Sequence, residues 1–346
     1  MAMIEFVRIA VLVLLAVVVL AAADLVVGTW WRRRRWFRRH RAEHDVMVAV
    51  VDALGDPDLV PQARDALRAA DPVVARTVCL AVGRVVASEE RTVLARLAST
   101  AGVDRRARRD LRSRRWWRRL RAVRLLHLAS AGPADRAVLD DPHPEVRAAA
   151  LIWLADRPAQ LAASTARSGP EVGSRVGGPS VAELLARALV SDAALVRLAA
   201  KHVCVRAQPP PIGVLGRALD LARGPDTSPL APVAPLATIA ALGGSVPLDF
   251  DEFLVADAAA VRAAAVRAIA ATSPEQIAFL AQRYLDDEQV VRMAVADVAG
   301  RDPAACPLLV ELSRDPSWQV RQVARRSLRR AGPVGRALLR RLQQVT

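Results

Sequence analysis

The chain has 346 residues and a formal net charge of +15. Hydrophobic residues make up 53% of it but aromatic residues only 4%, so Ala, Val and Leu supply most of the apolar mass. Three cysteines (Cys79, Cys204, Cys306) stand far apart, which excludes a disulfide framework and the spacing of a zinc site. The sequence shows no alternating β-branched runs bounded by hairpin turns, so we predict an all-α protein.

The first predicted element is an apolar helix at 9–28, after a short N-terminal stretch at 1–8. It opens with IAVLVLLAVVVLAAA, and twenty helical residues span about 30 Å, the thickness of the hydrocarbon core of a bilayer. Asp24 is its single charge and lies near its end, where a carboxylate costs less than at the bilayer centre. We therefore predict a transmembrane helix at 9–28.

A juxtamembrane segment rich in Arg and Trp follows at 29–44. Because arginines are concentrated after the apolar run, the positive-inside rule predicts an outside N-terminus and a cytoplasmic remainder of the chain. A cleavable signal peptide is the alternative, since AAA precedes Asp24, but arginines directly after the apolar run resist export. The residues that we assign to the membrane interface are Trp30, Trp31, Arg32, Arg33, Arg34, Arg35 and Trp36.

A second basic cluster lies at 105–124, which holds eleven arginines and one aspartate. It could bind anionic lipid or a membrane-associated partner, or nucleic acid through phosphate contacts and base stacking. The third possibility is a solvated helix face whose tryptophans pack into the core. A transmembrane tether makes nucleic acid the less favoured partner. The candidate binding patch comprises Arg114, Arg115, Trp116, Trp117, Arg118 and Arg119.

A repeated helix opening marks the C-terminal half. In DPHPEVRAAALIWLA (141–155), Asp141 can cap the helix and Pro142 suits its first position. Related openings place an Asp shortly before a Val-Arg pair, and the last two steps between them are 30 and 29 residues. A Gly/Ser-rich insertion at 168–180 interrupts the pattern. A period near 30 residues made of two short helices is typical of an α-solenoid.

These openings resemble the HEAT-repeat family, in particular its short form. The resemblance rests on Asp-Pro starts at 71–72, 141–142 and 315–316 and on the Val-Arg pairs, and it implies a HEAT-like solenoid over 45–346. It also implies a ladder in which Asp and Arg of neighbouring repeats contact each other. By resemblance, the ladder residues are Asp141/Arg147, Asp257/Arg262, Asp287/Arg292 and Asp315/Arg321. Short HEAT repeats also occur in chromophore lyases, but nothing else in the sequence supports that activity.

Sequence motifs for catalysis are missing. The chain contains no glycine-rich phosphate loop, HExxH, CxxC or GxSxG, and its paired acids stand mostly at helix starts, where capping accounts for them. We therefore predict no catalytic residues, no cofactor and no metal site.

Together these features predict a non-enzymatic, membrane-anchored scaffold at the cytoplasmic face of the inner membrane. Its partners would be the membrane and another protein, for example a membrane enzyme such as a glycosyltransferase. The alternative is a membrane-tethered nucleic-acid-binding protein that uses 105–124.

Overall fold

The computed structural model describes residues 27, 29–31, 33–34, 36–86, 88–129, 136–157, 179–244, 248–277, 280, 286 and 288–345. All regular elements in these residues are helical, which confirms the all-α prediction for this part of the chain. The predicted transmembrane helix, except Val27, and the insertion, except 179–180, lie outside the described residues. Among the helices that are described, none is both long and apolar enough to cross a bilayer.

The predicted solenoid is divided between two compact units, 1–132 and 133–346. In the first unit the described helices are α1 (36–55), α2 (Val60–Ala69), α3 (Pro72–Val82), α4 (Ser88–Thr100), α5 (Val103–Asp110) and α6 (Trp116–Leu128). The side chain of Asp71 caps α3 by accepting from the N–H of Val73 at 2.7 Å, and Pro72 occupies the first helical turn, where a missing N–H costs nothing.

The core of the first unit is aliphatic. Leu67, Val78, Leu94 and Leu126, from four different helices, are fully buried. An ion pair between Arg76 and Asp110 joins α3 to α5. The burial of one apolar stripe from each helix therefore accounts for the packing of this unit.

In the second unit the described helices are α7 (Arg136–Leu139), α8 (Pro144–Ala155), α9 (Val181–Leu189), α10 (Ala194–Arg206), α11 (Ile212–Ala222), α12 (Val233–Leu242), α13 (Asp251–Leu254), α14 (Ala259–Thr272), α15 (Gln289–Ala299), α16 (Cys306–Leu312), α17 (Trp318–Arg330) and α18 (Gly332–Val345). One row runs α8, α10, α12, α14, α15, α17, and each helix in it packs against the next. Such nearest-neighbour packing is the arrangement of an α-solenoid.

Small and branched residues close the interfaces along this row. The valine of each Val-Arg pair is buried; these valines are Val146, Val196, Val261, Val291 and Val320. Gly300, which ends α15, lies so close to α17 that an added Cβ would stand 2.7 Å from the Cβ of Ser327. α15 and α17 therefore approach closely at Gly300.

Candidate interaction surfaces

Each Val-Arg pair of the second unit folds its arginine back onto the loop before its own helix. We call the residue six positions before the arginine the opening residue. One Nη1 group donates to the carbonyl of the opening residue in every case, at 2.7–3.1 Å; the pairs are Arg147–Asp141, Arg197–Ser191, Arg262–Ala256, Arg292–Asp286 and Arg321–Asp315. The arginine therefore satisfies a carbonyl that lies outside the helical hydrogen-bond pattern.

An aspartate at the opening position also forms a local cap. Its Oδ1 accepts from the N–H two residues later at 2.8 Å, from His143 to Asp141, from Glu288 to Asp286 and from Ser317 to Asp315. Such an Asx turn fixes the chain as it enters the helix.

Two of these aspartates also bind the arginine of the preceding repeat. Nε and Nη2 of Arg262 donate to the two carboxylate oxygens of Asp286 at 2.5 and 2.8 Å. Arg292 binds Asp315 in the same way, at 2.7 and 3.1 Å. All four side chains are only 5–17% exposed, and bidentate pairing is the strongest geometry for Arg and carboxylate.

The ion pairs shift the titration of both carboxyls. Hydrogen bonds from Arg262 hold the pKa of Asp286 below its ordinary value, and those from Arg292 do the same for Asp315. Desolvation by burial opposes both shifts, and the backbone N–H that each carboxylate accepts adds to them. The two pairs are therefore ionised rungs of an inter-repeat ladder.

The ladder differs in register from the predicted one. Arg262 contacts Asp286, whereas the predicted residue Asp287 lies outside the described residues. The other predicted partner, Asp257, is exposed; its backbone carbonyl accepts from Arg262 at 2.9 Å, and, after the hydrogen bonds to Asp286, its charge adds a minor contribution to the raised pKa of Arg262. Asp257 stands five residues before its arginine, whereas Asp286 and Asp315, which cap a turn and pair with the preceding repeat, stand six residues before theirs.

The predicted binding patch lies around the start of α6 in the first unit. The guanidinium carbons of Arg115, Arg118 and Arg121 lie 5.9, 5.3 and 5.3 Å from the ring centroid of Trp117, within cation–π range. Trp116 and Trp117 are 39% and 38% exposed. The tryptophans therefore do not pack into the core, contrary to one of the three possibilities above.

The surrounding arginines make this face strongly positive. Arg114 is exposed. Arg119 is half-buried, and its Nη1 donates to the carbonyls of Ser113 and Arg114 at 2.9 and 3.2 Å. Other exposed arginines lie on α5, α6 and the connecting loop; these are Arg105, Arg108, Arg109, Arg112 and Arg124. The one aspartate of the cluster, Asp110, already pairs with Arg76.

The described residues of the juxtamembrane segment expose their aromatic rings. Trp30, Trp31 and Trp36 are 51–59% exposed, and the first two rings meet edge to face with centroids 5.6 Å apart. The guanidinium of Arg34 lies 5.1 Å from the ring centroid of Trp30. Arg33 is exposed, and Arg32 and Arg35 lie outside the described residues.

The described residues offer little for chemistry. No group of three or more His, Cys, Asp or Glu among them could hold a metal ion. Burial raises the pKa of Cys79 and of Cys204 to about 12, so both thiols are protonated at neutral pH and are poor nucleophiles.

Comparison with known proteins finds the repeat in the C-terminal part of the chain. Residues 252–329 match the HEAT-repeat family. A crystal structure of an engineered protein is 16% identical over 84% of this chain and 94% of its own, but its TM-score of 0.33 is too low to establish a shared fold. No curated protein matches the chain. The matched segment contains both ion-paired rungs, and the chain therefore carries HEAT repeats over residues 252–329.

Proposed function

We propose that the protein is a non-enzymatic scaffold held at the cytoplasmic face of a membrane, where its repeats bind a protein partner. HEAT repeats in general form surfaces for protein–protein interaction, which supports the scaffold. The membrane contact is supported most by one observation, the exposed Trp116–Trp117 pair within a face of exposed arginines.

Elementary interfacial chemistry supports lipid as the target of this face. An anionic leaflet attracts each nearby Lys or Arg by about 1 kcal/mol, and several of them act together. Indole rings prefer the boundary between headgroups and acyl chains, because one end is apolar and the other can donate a hydrogen bond. The patch of Arg114, Arg115 and Arg118 beside the two tryptophans combines both properties.

The anchor in this proposal is the apolar segment 9–28. Its support is the length of the apolar run, the arginines that follow it and the exposed rings of Trp30, Trp31 and Trp36. A membrane-embedded enzyme, for example a glycosyltransferase, is a class of partner that this location would suit.

The patch is tested in full-length protein reconstituted into vesicles, with an environment-sensitive fluorophore on Arg112→Cys. We expect a blue shift in vesicles that contain anionic lipid but not in neutral ones, weakening as salt rises. Changing Arg114, Arg115, Arg118 and Arg119 to Glu should abolish it. A control with the same charge change on the exposed Arg325, Arg326, Arg329 and Arg340 should retain it.

The same variants separate lipid from nucleic acid. The nucleic-acid alternative replaces the membrane contact if three results are found together. Labelled single-stranded DNA would bind the full-length protein with a steep salt dependence, and the α6 charge reversal would abolish that binding. The lipid composition of the vesicles would have no effect on the fluorescence. The anchor is tested separately, by whether residues 1–28 are needed for the protein to sediment with membranes.

A further inference from the structure

The ladder of the second unit lacks its carboxylate at three successive steps, because the opening residues there are Ser191, Ser228 and Ala256. The opening residues at 191 and 228 are serines, in SDAALVR and SPLAPVA, which otherwise keep the spacing of DPSWQVR at 315–321. Ser191 Oγ accepts from the N–H of Ala193, and Ser228 Oγ from the N–H of Leu230, each at 3.3 Å. Serine therefore retains the capping role of aspartate, but it has neither the second oxygen nor the charge that a preceding arginine would bind.

Only one side of the Arg197 guanidinium, the Nη1 group, is hydrogen-bonded in the described part of the chain. Its Nη1 donates to the carbonyls of Ser191 and Asp192 at 2.7 and 2.8 Å, the same posture that Arg262 adopts. Within the described part of the chain, neither Nε nor Nη2 of Arg197 has an acceptor. In Arg262 and Arg292 these two groups bind the carboxylate of the next repeat.

A cavity of about 360 Å³ lies at this step, and Arg197 and both serines line it. Its other walls are mostly apolar and include Leu230, Val233 and Ala234. Ala234 occupies the position six residues after Ser228, where the other openings carry arginine, so the cavity lacks the side chain that would otherwise extend there. Asp192 is also part of the lining; its carboxylate is exposed, and its backbone carbonyl already accepts from Arg197.

We infer that Arg197 and Ser228 form a binding site for a carboxylate that an external ligand supplies in place of the missing rung. The two unused N–H groups form the fork that binds carboxylate oxygens bidentately, and the Ser228 hydroxyl can donate a further hydrogen bond. The apolar walls suit a carboxylate that carries a small aliphatic group. An Asp or Glu of a bound polypeptide and a small organic acid both have this chemistry. The inference does not depend on the membrane contact proposed above.

The test is isothermal titration calorimetry of the full-length protein with three probes. These are propionate, the blocked peptide acetyl-Ala-Asp-Val-amide and its Asn counterpart, all at equal ionic strength. We expect the carboxylate probes to bind, and the Asn peptide to bind at least about tenfold more weakly than the Asp peptide, because charged hydrogen bonds are lost. A peptide that binds about tenfold more tightly than propionate identifies a polypeptide carboxylate, and equal affinities identify a small acid.

Two variants and a control assign the binding to this site. Arg197→Gln should weaken it at least about tenfold, and so should Ser228→Asp, which supplies the carboxylate from within the chain. Ser228→Asp should also raise the melting temperature, which shows that the variant is folded. Arg206→Gln, on the exposed far end of α10, should leave binding unchanged. The inference is overturned if no carboxylate probe binds, if the Asp and Asn peptides bind equally, or if Arg197→Gln binds like the wild type.

Discussion

The two parts of the ladder use the same backbone geometry but differ in what completes it. Between α14 and α17 the arginines meet aspartates of the next repeat, Arg262 with Asp286 and Arg292 with Asp315. Beside α10, Arg197 adopts the same posture, but the next opening residue is Ser228 and a cavity takes the place of the carboxylate. A single residue at the opening position therefore decides whether a rung is internal to the protein or is left for a ligand.

The largest expected effect on stability comes from breaking one of the two ion pairs between repeats. Asp315→Ala removes a largely buried carboxylate, breaks its bidentate ion pair with the half-buried guanidinium of Arg292 and removes the acceptor of the Ser317 N–H. We expect the free energy of unfolding to fall by roughly 2–4 kcal/mol in urea denaturation. Asp257→Ala is the matched control and should change it by less than about 0.5 kcal/mol, because that carboxylate is exposed and forms no rung. Equal losses in the two variants would contradict the assigned register.

Overpacking the interface between α15 and α17 should have the next largest effect on stability. Gly300→Ala would place a methyl group 2.7 Å from the Cβ of Ser327, so α15 and α17 must separate. We expect a loss of about 1–3 kcal/mol in the free energy of unfolding. Gly213→Ala in α11, where nothing lies within 4 Å of the added Cβ, should be neutral or slightly stabilising. A Gly300→Ala protein as stable as wild type would show that this interface is looser than described.

The two ion pairs between repeats should also make part of the free energy of unfolding depend on pH in the acid range. Asp286 and Asp315 have lowered pKa values in the folded chain, so their stabilisation is complete above the ordinary value of 3.8 and is lost as pH falls through the folded-state values. Between about pH 6 and about pH 2.5, Asp315→Asn should therefore show a shallower fall in unfolding free energy than wild type, by on the order of 1 kcal/mol. Parallel pH profiles for the two proteins would argue against an ionised rung.

The sequence predicted the helices and the repeat well, because apolar stripes are local signals. The predicted start of α8 was wrong by two residues: Asp141 caps the turn before the helix, which begins at Pro144 and not at Pro142. The sequence did not predict the ladder register, because acids stand both five and six residues before the arginines and only the folded loop distinguishes them. The opening at Ser228 was missed for a related reason: a search for Asp before Val-Arg passes over SPLAPVA, although its spacing is the same. The exposure of Trp116 and Trp117 depends on how α5 and α6 pack, which local sequence does not specify. The membrane anchor stays a prediction.

The most direct measurement of the central claim is the stabilisation by Ser228→Asp in two backgrounds. If the opening residue completes a rung with the preceding arginine, the substitution should raise the free energy of unfolding of the wild-type chain by about 1–2 kcal/mol. In the Arg197→Gln background it should give little or no gain. Equal gains in both backgrounds would show that Arg197 does not face residue 228 and would contradict the account.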